Sequence, residues 1–273
     1  QIASNQDRAS ITALFEREFH TLSQLTHPRV IAVYDYGVTS RGPYYTMELL
    51  DGGDLRDRAP VPWRQACALF FDVCSSLALL HSRRLLHRDI SPRNIRCTHE
   101  DKAKLIDFGA MVSMGSGGAQ VVGTPAFTAP ETVHRLALDG RADLFSLGAT
   151  LYNALTGAVP YPARTFADAL AAWNVKPLPP SARVPSIPAA LDDLVLSLVS
   201  VEPSLRPQTA FDVMQRLAAI ANLPRDESVE VAAAYLSTPT LVGRDAALDR
   251  VRKQLVGTLA GQGGGVLVRG APG

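Results

Sequence analysis

The chain has 273 residues, 47% of them hydrophobic, which is length and apolar content for one large domain or two small ones with packed cores. A formal net charge of +1 leaves no electrostatic footprint for nucleic acid or an anionic membrane surface. Cys67, Cys74 and Cys97 lack metal-ligand spacing. Cys67 and Cys74 share one helical face and are expected as core residues in a reducing cytosol, hence a cytoplasmic location. Phe15, Phe19, Leu22 and Leu25 recur at helical spacing and predict a helix with one apolar face. Trp63 to His81 is amphipathic, with Ala66, Phe70, Val73, Leu77 and Leu80 on one side. Asn94-Ile95 and Ala103-Ile106 flank the polar turn Thr98-Lys102 and predict a hairpin. Further helices are expected near Ala142-Leu155, Phe166-Trp173, Ala189-Ser200 and Thr209-Ala221, and the prolines from Pro177 to Pro188 mark a loop. No apolar run approaches the roughly 20 residues of a membrane span, and no signal-peptide pattern is present.

Four signatures occur in order: His87-Arg88-Asp89, Asn94, Asp107-Phe108-Gly109 and Ala129-Pro130-Glu131. One tripeptide alone is weak, whereas all four at workable separations leave chance negligible. Together they resemble the catalytic loop, metal-binding loop and activation-segment end of eukaryotic-like protein kinases, here of the bacterial serine/threonine type. The resemblance covers about residues 10–222. It implies an α+β, bilobal fold with a mainly helical C-lobe, ATP and Mg2+ as cofactors, and protein serine or threonine hydroxyls as acceptors, those of the chain itself (autophosphorylation) among them.

Phosphoryl transfer needs positioning and charge neutralisation more than covalent help. By resemblance, Asp89 is the catalytic base and Asn94 and Asp107 are the magnesium ligands, hard oxygens suited to that ion. HRDISPRN carries Ser91 where serine/threonine kinases usually place a phosphate-neutralising lysine, and Arg93 is a candidate for that charge. Arg96 stands where an apolar residue usually lies under adenine; its stem could cover the ring while the guanidinium reaches solvent. Glu18 is the candidate partner of the nucleotide-binding lysine, with Glu16 the alternative. Met47 would be the gatekeeper, Glu48 and Leu50 would face adenine through their backbones, Asp54 would lie near the ribose, and Gly52-Gly53 fits a sharp turn. Arg88 resembles the arginine that pairs with an activation-loop phosphate. Ser113 and Ser116 are candidate phosphosites; Ser116 sits where related bacterial kinases often carry one, with a solvated loop serine as the alternative reading. Thr124 would contact Asp89, Glu131 would pair with Arg206, and Asp143 would fix the catalytic-loop backbone. His87 and Phe108 are expected to pack with Leu22 and Val33.

No lysine precedes Lys102, and no glycine-rich phosphate loop is present. Gln1 is not an initiator methionine, so both elements are expected upstream in a longer parent, and this stretch alone is expected to have little or no activity. Residues 1–222 are thus read as a kinase domain with an incomplete N-lobe, and 223–238 as a linker in which Val229-Leu236 could be a short helix. Residues 239–273 read as the first helix and strand of a P-loop α/β domain. Leu248, Val251 and Leu255 lie at helical spacing, Val266-Val268 is a short apolar strand, and Gly270-Ala271-Pro272-Gly273 follows. This order resembles the opening of AAA-like or STAND-type regulatory ATPases, cut within the phosphate loop.

Overall fold

The structure is a computed structural model and describes residues 12, 15, 16, 18–40, 42–116 and 121–223. The proposed linker beyond Leu223 and the expected ATPase opening lie outside the described residues.

The described chain begins with helix α1, helical over residues 18–23. Strands β1 (Val33–Thr39) and β2 (Gly42–Met47) then form an antiparallel pair in which Tyr36 faces Tyr45. Helix α2 (Leu55–Arg58) follows, and then α3 (Trp63–Ser82) runs through the centre of the core. Ala66, Leu69, Phe70, Val73, Leu77 and Leu80 of α3 are fully buried. Each large apolar side chain so buried contributes roughly 1.5–3 kcal/mol, which makes this helix the main organiser of the lower lobe. By length and composition α3 could cross a membrane, which corrects the sequence expectation that no apolar run comes near a span. Its apolar surface is instead covered by α8 and α5.

Short strands carry the polar loops. β3 (Leu85–Leu86) pairs with β6 (Val112–Ser113), and β4 (Ile95–Cys97) pairs with β5 (Ala103–Leu105) in the predicted hairpin. Helix α4 (Pro130–Val133) leads to α5 (Gly140–Thr156), capped by Asp139 at its start and by Gly157 at its end. Then come α6 (Phe166–Ala172), α7 (Ala189–Leu198) and α8 (Ala210–Ala221). Thr165 and Thr209 each make a reciprocal capping box, with Asp168 and Asp212, so the starts of α6 and α8 are set locally.

Two anchors fix the lower lobe. Arg206, 2% exposed, meets the Glu131 carboxylate in a bidentate pair at 2.6 and 3.0 Å. Its remaining donors go to the carbonyls of Ser200 (2.8 Å), Arg141 (2.8 Å) and Val201 (3.2 Å). All five guanidinium N–H groups are therefore satisfied, and the plane lies over the Phe145 ring. The second anchor is Asp72 of α3, which accepts from Arg29 Nε at 2.8 Å and from the Ala103 amide at 3.0 Å.

Candidate active site

The loop after β3 is held from beneath by one carboxylate. Asp143, on the first turn of α5 and 1% exposed, accepts from the amides of His87 (3.0 Å) and Arg88 (2.9 Å) and from His81 Nε2 (2.9 Å). Burial works against its charge, but the His81 hydrogen bond and the facing amides outweigh that and hold its carboxyl below the usual range. The hold is needed because Arg88 adopts φ +69°, an unfavourable backbone state for a side chain with a Cβ. The His87 ring packs edge-on against Phe108 at 4.9 Å. Its Nδ1 accepts from the Asp89 amide at 3.3 Å and its Nε2 donates to the Ile106 carbonyl at 3.2 Å. That arrangement requires the neutral ring, and burial keeps its pKa low.

Asp89 is buried and surrounded by donors. Asn94 Nδ2 donates to both its carbonyl (2.8 Å) and its Oδ2 (2.9 Å). Arg93 Nη2 donates to Oδ2 at 2.9 Å, and Thr124 Oγ1 to Oδ1 at 3.3 Å. Gly123 makes the Thr124 approach possible. Its φ is +105°, and a Cβ there would lie 2.9 Å from the Arg88 carbonyl oxygen. Asn94 closes the turn Pro92–Asn94, and its carbonyl accepts from the Ile106 amide at 3.0 Å. Asn94 and Asp107 are thereby brought to the same edge of the β4–β5 hairpin.

This donor set fits a magnesium ion. Asn94 directs its amide N–H groups at Asp89, which leaves its Oδ1 as the group able to face a cation beside the Asp107 carboxylate. Two protein oxygens are the complement expected where phosphate and water complete an octahedral shell, and among the described residues no larger cluster of acidic, histidine or cysteine ligands occurs.

Of the two candidate glutamates, Glu18 lies at this loop: its Oε1 accepts from Tyr45 Oη (3.2 Å) and from the Phe108 amide (3.3 Å). Burial, and then the Asp107 charge, raise its pKa. Glu16 is exposed and lies 3.8 Å from His20. Leu22 and Phe108 share the buried core, with Val33 packed against it.

The structure places the remaining candidates as follows. Asp54 is buried, caps α2 through the Arg56 amide at 2.9 Å and pairs with the Arg56 guanidinium at 2.7 Å, so its carboxylate already holds the start of helix α2. The Arg96 guanidinium turns to the Leu50 carbonyl, 3.0 Å away, instead of reaching solvent. The Glu48 amide bonds the Ala32 carbonyl at 3.0 Å, and its side chain pairs with Lys104 at 2.7 Å; only its carbonyl remains for a base. Met47 is exposed, and Gly53 supplies the turn with φ +75°. In the activation segment Ser113 is exposed, whereas the Ser116 hydroxyl donates to the Ser113 carbonyl at 2.7 Å. Arg88 is buried there, and burial lowers its pKa. Tyr45, His81, Lys104 and Arg56 escaped the sequence reading because their partners are distant in sequence or, for Arg56, sit beneath a helix cap.

The sequence pattern of the protein kinase domain matches residues 1–217. Over 233 residues the chain is 34% identical to the serine/threonine-protein kinase PknB of Mycobacterium tuberculosis, covering 80% of this chain and 37% of that protein. The PknB of Mycobacterium leprae is 36% identical over 214 residues (73% and 34%), and a probable serine/threonine-protein kinase of Clostridium perfringens 30% over 228 (80% and 33%). The chain thus spans only about a third of the length of these curated relatives.

Proposed function

We propose, on the premise that the chain belongs to the protein kinase family, that its parent protein is a bacterial serine/threonine kinase that phosphorylates protein hydroxyls. The observation that carries this is the convergence of Asp89, Asn94 and Asp107: Asn94 bonds Asp89 with its amide and the residue before Asp107 with its carbonyl. Bound magnesium–ATP would supply an electrophilic γ-phosphoryl group with its charge neutralised. Asn94 and Asp107 would hold the ion. Asp89 orients the acceptor hydroxyl and takes its proton at a carboxylate oxygen, with Arg93 and Thr124 keeping that carboxylate in place. Glu18, partly buried beside Asp107 with its pKa raised by burial and then by that charge, is placed to receive a cationic partner.

A second reading, a nucleotide-sensing or docking pseudokinase, is favoured by Ser91 in place of a lysine and by Tyr45 occupying Glu18. The finer organisation is also a proposal: a regulatory ATPase module opening at residues 239–273, supported by the Val266-Val268 and Gly270-Gly273 sequence. A cytoplasmic location is supported by three buried free cysteines, which a reducing compartment would preserve. The test is transfer from labelled ATP by the full-length protein beside Asp89→Asn and Asp107→Ala, with phosphosites mapped. Labelling of serine or threonine that vanishes in both variants supports the kinase; ATP binding without transfer by well-folded wild type supports the sensor.

A further inference from the structure

Beside Asp89 lies an open cleft of 330 Å³, lined among others by Arg56, Ser91, Arg93, Thr124, Phe127 and Asn153. Two of its lining residues are cationic and none is acidic. Arg93 is 52% exposed and Arg56 62% exposed. Each guanidinium pairs with a buried carboxylate, Arg93 with Asp89 and Arg56 with Asp54, and both arginines line the cleft while those carboxylates do not. A planar guanidinium carries five donors in a fork, so a second carboxylate can be accepted beside the first. Independently, the Ser91 hydroxyl, 1% exposed, finds no hydrogen-bond partner among the described residues. A buried polar group in that state is costly unless something entering the cleft satisfies it.

We infer that this cleft selects acceptor segments that carry an acidic side chain beside the hydroxyl to be phosphorylated, with Arg56 and Arg93 as the specificity-determining cations. This rests on the kinase reading above. A segment reaching Asp89 passes Arg93 at once, because that guanidinium is bonded to the same carboxylate. A glutamate there completes the fork, whereas a lysine meets two like charges. Ser91 supplies the neutral donor that a lysine at this position would replace with a third cation.

The experiment compares three peptides with one serine and flanks of glutamate, alanine or lysine, using the full-length protein. It measures kcat/KM for transfer and, separately, binding of the fluorescein-labelled peptides by anisotropy. Two partly exposed charge pairs predict a preference of roughly tenfold for glutamate over alanine flanks, shrinking as salt rises. Arg56→Glu reverses the glutamate-over-lysine ranking, and Arg56→Gln, which keeps the backbone amide that Asp54 caps but loses the guanidinium, narrows it. An unchanged ranking in Arg56→Glu overturns the inference, as does wild type that favours lysine. Transfer without flank preference overturns this inference and leaves the kinase intact. Preferential binding of the glutamate peptide without transfer upholds the cleft and sinks the kinase reading. Neither preference nor transfer overturns both.

Discussion

Replacing Asp143 by asparagine should separate the scaffold of the catalytic loop from the loop itself. Its Oδ2 accepts from His87 N and His81 Nε2, and its Oδ1 from Arg88 N. An asparagine keeps one acceptor and places an NH2 group against donors at the other position. One or two charge-assisted bonds are lost, and a buried donor is left facing another, at 1% exposure. Together these cost about 3–5 kcal/mol. The Arg88 backbone, no longer held, should leave its left-handed state, and Asp89 moves with it. A displacement of about 1 Å at a reacting group costs on the order of 10²-fold in rate. Trp63 and Trp173 lie in this fold, so tryptophan fluorescence during urea denaturation reads the stability, and labelled-ATP transfer reads the rate. Asp143→Asn with less than about 1 kcal/mol lost and transfer unchanged would refute the reasoning.

Arg206→Lys keeps the charge but cannot reproduce a five-donor fork, so a loss of about 2–3 kcal/mol is expected by the same denaturation, and about 3–5 for Arg206→Ala, which strands Glu131. His27 is buried, with Nδ1 accepting from the Arg29 amide and Nε2 facing Ser75 Oγ, and burial followed by the Arg29 and Lys104 charges lowers its pKa to about 4 from 6.5. Unfolded histidine takes up its proton near pH 6.5 while the folded ring resists, so the unfolded state binds more protons between these values. Stability should fall by on the order of 2 kcal/mol as pH drops through that window, and His27→Gln should flatten the slope. Gly148→Ala places a Cβ 2.4 Å from Leu198 Cβ across the α5–α7 contact; a loss of about 1–3 kcal/mol is expected in the same melts, and an unchanged midpoint would contradict the packing.

The long helices were legible because their apolar periodicity and their caps agree: α3, α5, α7 and α8 lie within a few residues of the expected ranges. The β4–β5 hairpin was legible from its polar turn. The short helix α2 and the two-residue strands β3 and β6 carry too few residues for any period to show. At the candidate site, motif spacing could place residues in one loop but not orient them. Asp54 illustrates the limit, since the cap it makes to the Arg56 amide and its pair with the Arg56 guanidinium show only in the structure. Arg96 shows the same limit, because nothing local says that its guanidinium turns to Leu50.

The segment from His27 to Ile31 behaves as a pivot pin. His27 meets Ser75, the Arg29 carbonyl accepts from Ser76 Oγ and from the Leu105 amide, the Arg29 side chain meets Asp72, and the Ile31 amide bonds Leu105. All of these partners belong to the lower lobe, so the end of α1 nearest the pin has little room to translate. Glu18 sits about 10 Å out along this lever, and a swing of about 15° carries its carboxylate roughly 2.5 Å, enough to break the contacts with Phe108 and Tyr45. The contacts of Glu18 with Phe108 and Tyr45 thus depend on the angle at which α1 leaves the pin more than on its distance from the lower lobe.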